Sequence, residues 1–263
     1  MDMGIAGKLA VVTGASQGLG FASAAGLAAE GARLAIMARG ETKLMNAKAR
    51  LEDLGATVFA KTADVTDRES LAEFFAAVRA EVGDPEILVF NNSSARDLFF
   101  EEAEEEDYLH ALQTTVLGLS WCVREVTGGM EKAGWGRIVT LGSLCAKEPH
   151  RELPMILHNM SRPAQLGMNK SLANTLGKHG ITVNTVGIGM IDHDGEAVAR
   201  SYVKHGRGLS DEDIRAMRAR NPLQRTGTAD ELGSLVTFLC SEPAGYITGQ
   251  MVLLDGGRIG SLY

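Results

Sequence analysis

The 263-residue chain is poor in cysteine, and its three thiols, Cys122, Cys145 and Cys240, are far apart with no C-x-x-C pair. That excludes a disulfide framework or a cysteine metal knot and fits reduced, packed thiols of a cytosolic protein. No apolar run approaches the roughly 20 residues a membrane helix needs. The start lacks the cationic-then-apolar pattern of a secretory leader. A cytoplasmic protein with no membrane partner is therefore expected. Positive charge is also short: 26 Lys and Arg face 33 Asp and Glu, for a net charge of −7, which argues against nucleic acid as the main partner. Internal repeats, low-complexity tracts and Pro/Gly/Ser-rich linkers are missing, so 1–263 is read as one domain, long enough to bury a substantial core. His150, His158 and His193 have no metal-ligand spacing, and no metal is expected. The acidic run from Glu101 to Asp107 reads as a solvated helix start, where carboxylates suit the dipole.

Short apolar runs alternate with longer helical patterns. Strands are expected at 8–12, 33–37, 57–62, 87–90, 137–141, 182–186 and 251–254. Helices are expected at 19–30, 41–54, 68–82, 107–133, in a segment ending at Leu176, and at 229–240. Unbroken apolar strands joined by long connections indicate a parallel sheet buried on both faces. The fold class is α/β: a single doubly wound, Rossmann-type parallel sheet with helices on both faces. The polar stretch 192–221 breaks this rhythm and reads either as a substrate lid or as a surface helical pair.

Between the first strand and first helix stands Thr13-Gly14-Ala15-Ser16-Gln17-Gly18-Leu19-Gly20. Glycine there lets the backbone turn tightly and approach a pyrophosphate, while the following helix start supplies free N–H groups. Gly14, Ser16, Gln17, Gly18, Leu19 and Gly20 are the expected cradle. The spacing is G-x-x-x-G-x-G, not the common G-x-G-x-x-G. Arg39 follows the second strand, where an acidic residue would hold a ribose 2′-hydroxyl. An arginine suits a 2′-phosphate instead, so NADP(H) is the expected cofactor, with Ser16 adding a hydroxyl.

These residues carry a resemblance to the short-chain dehydrogenase/reductase family over essentially the full length. Further matches are Ala63-Asp64-Val65, Asn91-Asn92-Ser93-Ser94, Gly136-Arg137-Ile138-Val139, Gly180-Ile181-Thr182-Val183-Asn184, Ile247-Thr248-Gly249-Gln250 and Asp255-Gly256-Gly257. The resemblance implies that Asp64 and Val65 contact adenine, that Asn91 and Ser93 line the cofactor channel, and that Ile191 lies in the segment facing the carboxamide. It also implies a homotetramer or homodimer paired through the helices at 107–133 and 166–176.

The proton-transfer residues depart from the family. Ser143 matches its serine, but no Tyr-x-x-x-Lys occurs anywhere. Counting back from Gly167 and Ser171-Leu172-Ala173 places His158 at the tyrosine and Arg162 at the lysine. Thr115 falls at the asparagine, and His193 at a threonine. Histidine can serve as general acid or base. Arginine cannot release its proton but can hold ribose oxygens or a carboxylate. Four residues apart, the two share a helical face, unless Pro163 delays the helix so that Ser161 caps it. Tyr202 is a distant source for the missing phenol. Three functions follow. The first is an NADP(H)-dependent oxidoreductase acting on a small carbonyl/alcohol pair through Ser143, His158 and Arg162. The second is a non-redox lyase or isomerase with His158 as base. The third is a non-catalytic NADP(H)-binding protein.

Overall fold

The computed structural model describes residues 2–92, 95–149, 153–192 and 211–262. In chain order the elements are β1 Leu9–Thr13, α1 Gly18–Ala29, β2 Arg33–Met37, α2 Glu41–Asp53, β3 Val58–Ala60, α3 Arg68–Glu81, β4 Ile87–Phe90, α4 Glu105–Leu112, α5 Gly118–Ala133, β5 Gly136–Ser143, α6 Ile156–Leu176, β6 Ile181–Ile188, β7 Ile191–Asp192, α7 Asp211–Ala219, β8 Gly227–Thr228, α8 Ala229–Leu239 and β9 Met251–Leu254. Seven strands form one sheet in the order β3-β2-β1-β4-β5-β6-β9, every neighbouring pair parallel. The doubly wound expectation holds, because period-two side chains feed two separate cores. Ala10, Val12, Ile36, Val89 and Val139 face one layer with α1 and α8. Leu9, Val11, Met37, Leu88 and Ile138 face the other with α3 and α5.

The expected long helix at 107–133 is interrupted. Gln113–Leu117 forms a wide π turn between α4 and α5. Packing accounts for it. Gln113 Nε2 donates to Thr66 O at 2.7 Å, and Gly118 comes so near the sheet that a Cβ there would lie 2.6 Å from Val65 O. A π turn absorbs one extra residue while both flanking helices stay docked. The acidic run behaves as expected: Glu105, Glu106 and Asp107 fill the first turn of α4. A delayed start for α6 is not what the fold adopts. The helix begins at Ile156 and carries Pro163 inside it. An interior proline costs about 3 kcal/mol, offset here by a face that buries Leu157, His158, Ser161, Arg162, Gln165, Asn169 and Ala173. Of the lid segment, 193–210, with His193 and Tyr202, lies outside the described residues. Asp192 belongs to β7, which pairs with β8.

Candidate functional site

The strand order reverses at β1, which pairs with β2 on one side and β4 on the other. The loops leaving β1 and β4 therefore diverge and open a crevice at the carboxyl ends of the strands. It is a cleft of about 490 Å³ lined by Gly14, Ser16, Gln17, Gly18 and Leu19 of the first turn, by Arg39 and Lys43, by Asp64 and Val65, and by Asn91 and Asn92. Most of the expected cofactor residues thus meet in one cleft, whereas Gly20, Ser143, His158 and Arg162 are not part of its lining.

The glycine turn is built to exclude side chains. Gly14 has φ +59°, and a Cβ there would lie 2.7 Å from Asn91 O. A Cβ on Gly20 would strike the Gly14 carbonyl and lie 2.7 Å from Asn91 Nδ2. The turn is pinned to β4 from both strands. Thr13 Oγ1 donates to Asn91 O at 2.8 Å, Asn91 N donates to Thr13 Oγ1 at 2.9 Å, and Asn91 Nδ2 donates to Gly14 O at 3.1 Å. Asn91 is thus a brace for the turn as well as a lining residue. Asp64 accepts from Thr66 N at 2.9 Å and Thr66 Oγ1 at 2.8 Å through one oxygen, Oδ1, which fixes its carboxylate at the cleft wall. Arg39 is exposed at the end of β2.

The reaction end lies where β4, β5 and α6 meet. Ser143 ends β5, and its Oγ accepts from Cys145 N at 3.3 Å, leaving its O–H to donate. His158 is buried, 4 % exposed. Its Nε2 lies 3.1 Å from Ala95 O and 3.3 Å from Asp97 Oδ1. Both neighbours are acceptors, so Nε2 bears a proton and Nδ1 holds the lone pair of the neutral ring. Arg162, one turn on, is also buried. Its Nη1 reaches Asn92 Oδ1 at 3.1 Å, Gln165 Oε1 at 3.2 Å and Leu141 O at 3.4 Å. Gln165 Nε2 donates in turn to Thr115 O at 3.0 Å, in the π turn. Desolvation pushes the Arg162 guanidinium down to about 10, and it remains a cation at neutral pH. No carboxylate pairs with it among the described residues.

His158 and Arg162 share one face of α6 but reach different partners, the 95–97 segment and the sheet edge. Ile191 is buried in β7 and lines a separate small cavity with Asn221 and Leu254, not the main cleft. Ser93 lies outside the described residues. Sequence reasoning missed Lys43, Asp97, Asn92 and Gln165. Gln165 had a signal, since it follows Arg162 by three residues on α6, and Lys43 had its place in the first turn of the helix after Arg39. Asp97 had none, because only the tertiary fold brings its loop onto α6.

The sequence profile of a family described as enoyl-(acyl carrier protein) reductase matches residues 14–258. The 3-oxoacyl-[acyl-carrier-protein] reductase FabG of Escherichia coli K12 is 33% identical over 255 residues, 97% of this chain and 98% of the relative. Nodulation protein G of Azospirillum brasilense is 31% identical over 252 residues, 95% and 97% of the two chains. Among solved structures, L-sorbose reductase from Gluconobacter frateurii, complexed with NADPH and L-sorbose, superposes with a TM-score of 0.91 at 32% identity and full coverage of both chains. YwfH, an NADPH-dependent reductase involved in bacilysin biosynthesis, gives 0.90 at 27% identity, covering 98% of this chain and 100% of its own. The crevice at the strand reversal, the braced glycine turn and these end-to-end likenesses agree: the chain belongs to the short-chain dehydrogenase/reductase family.

Proposed function

We propose that this protein is an NADP(H)-dependent oxidoreductase that interconverts a small carbonyl compound and its alcohol, with His158 and Arg162 standing where the family has tyrosine and lysine. The observation that carries this reading is the cleft that joins the tight glycine turn to Arg39, which has no carboxylate partner among the described residues. A dinucleotide diphosphate fits the turn, which Gly14 and Gly20 let pack tightly on Asn91 and which leads into the free N–H groups at the start of α1. Arg39 and Ser16 suit the 2′-phosphate, Asp64 and Val65 the adenine, and Asn91 and Ser93 the channel beyond. The solved relative with NADPH and L-sorbose bound supports both the cofactor and the substrate class.

Bound NADP(H) supplies or accepts the hydride. The protein's own residues handle the proton and the substrate oxygen. In the direction of oxidation, the alcohol O–H gives its proton to Nδ1 of His158, whose Nε2–H stays anchored to Ala95 O and Asp97. Ser143 donates its hydroxyl to the substrate oxygen and steadies the charge that develops there. Arg162 does not relay a proton, and its buried cation, held by Asn92, Leu141 and Gln165, is a fixed positive charge one turn from His158. We propose further that the enzyme is cytoplasmic and works as a homodimer or homotetramer through α5 and α6.

Titration of the purified protein with NADPH and NADH, followed by turnover on a panel of small ketones and aldehydes, tests the reading. NADPH should bind more tightly than NADH by at least about tenfold, and nicotinamide absorbance should change with product. Product without an absorbance change would instead mean non-redox chemistry. His158→Phe should lower turnover by about 10²–10⁴-fold, the usual contribution of a positioned acid–base group; undiminished turnover would remove His158 from the reaction.

A further inference from the structure

The glycine turn and α2 meet at one hydrogen bond. Lys43, in the first turn of α2, donates from Nζ to Gln17 Oε1 at 2.9 Å. Gln17 is the residue immediately before α1. Both line the cleft beside Arg39, Gly40 and Ser16. This contact brings a second cation to the corner that Arg39 already occupies.

Two cations thus line one corner of the cleft. Some cations of the molecule pair with carboxylates, as Lys8 does with Glu86 and Arg225 with Glu231, and others, such as Arg33 and Lys170, are held by backbone carbonyls. Arg39 and Lys43 have no carboxylate within ion-pair distance among the described residues. Arg39 precedes α2 and Lys43 lies in its first turn, and both line the same cleft, so the two like charges repel. Lys43 also sits at the positive end of the helix dipole, where a cation is disfavoured. Holding it there with a neutral amide oxygen leaves two of its three ammonium protons for another acceptor. An anion in the cleft offsets both penalties and accepts the remaining protons.

We infer that Lys43, held in place by Gln17, is the second cation of the 2′-phosphate site, so that preference for NADPH over NADH is divided between Arg39 and Lys43. This rests on the NADP(H) reading above and assigns it a specificity residue outside the motifs. Gln17 acts here as a positioning residue, with its amide oxygen setting the direction of the ammonium.

The experiment compares wild type, Lys43→Gln, Lys43→Arg and Gln17→Ala by calorimetric titration with four probes: NADPH, NADH, 2′,5′-ADP and 5′-AMP. Lys43→Gln should weaken NADPH and 2′,5′-ADP about tenfold, the scale of one charge-assisted hydrogen bond, and leave NADH and 5′-AMP within about twofold of wild type. Lys43→Arg should restore most of the discrimination, and Gln17→Ala should lose part of it. Equal losses for phosphorylated and unphosphorylated probes would place Lys43 on the diphosphate or ribose and overturn the inference. So would no loss at all in a Lys43→Gln protein that melts at the wild-type temperature. A wild type that binds NADH as tightly as NADPH is a different failure, that of the NADP(H) reading itself.

Discussion

At the scale of single residues, the site is governed by what cannot be present as much as by what is. Gly20 has no space for even one methyl group, because the Gly14 carbonyl and the Asn91 amide occupy it. Gly20→Ala should therefore push the turn off β4 and weaken dinucleotide binding at least about tenfold, read by fluorescence titration, while circular dichroism remains that of a folded protein. The place of Arg39 on the cleft was legible because it follows the second strand, whose carboxyl end opens on the crevice. The pairing of Nε2 of His158 with Ala95 and Asp97 was not, because nothing local links residue 97 to residue 158. Arg162 was placed correctly on the helix from the downstream register. Its direction, toward Asn92 and Leu141, depended on packing that a linear pattern does not encode. The buried guanidinium is itself a compromise: desolvation is costly for a charge without a counter-ion, and three neutral acceptors meet it instead.

At the scale of elements, strand and helix periodicities located most of the sheet, because strands buried on both faces leave unbroken apolar runs. The edges moved by a residue or two: β3 is shorter than its expected run, and β5 and β6 are longer. Two elements escaped sequence reading for opposite reasons. The π turn at Gln113–Leu117 has no composition of its own and exists because both flanking helices are docked. The start of α6 lies upstream of Pro163, where burial of one whole face outweighs a local breaker. One helix end makes a measurable prediction. Thr228 Oγ1 accepts from Glu231 N, while Glu231 Oε2 accepts from Thr228 N, a reciprocal cap on α8. Thr228→Ala should cost about 1 kcal/mol, a fall in Tm of roughly 2–4 °C for a chain of this size, by scanning calorimetry. The Arg225 guanidinium bonded to Glu231 lowers that carboxyl to about 2. A depressed carboxyl stabilises the fold fully above its unfolded value and loses that effect as pH falls toward 2. The difference in Tm between Glu231→Gln and wild type should therefore shrink between about pH 4.3 and pH 2. The pair is solvent-exposed, so the difference is small at any pH and smaller in high salt.

At the scale of the whole molecule, the doubly wound sheet was readable from the alternation of patterns, and the crevice at its reversal follows from topology. Which copies of the chain assemble was not readable, since Leu119 and Val123 serve the internal core while Leu109 and Leu117 on the same stretch remain exposed. If those exposed leucines join subunits, light scattering should give a dimer or tetramer mass, and Leu117→Glu should reduce it to that of a smaller species. The deepest organisation of the molecule is the Asn91-Asn92 dipeptide. One side chain grips the glycine turn, and the next accepts from the arginine of α6. Nucleotide seat and reactive chamber therefore hang from adjacent peptide units, like two doors on one hinge post. Because the two anchors are one peptide unit apart, nucleotide loading is expected to precede productive binding of the organic substrate, an order that product-inhibition patterns would read.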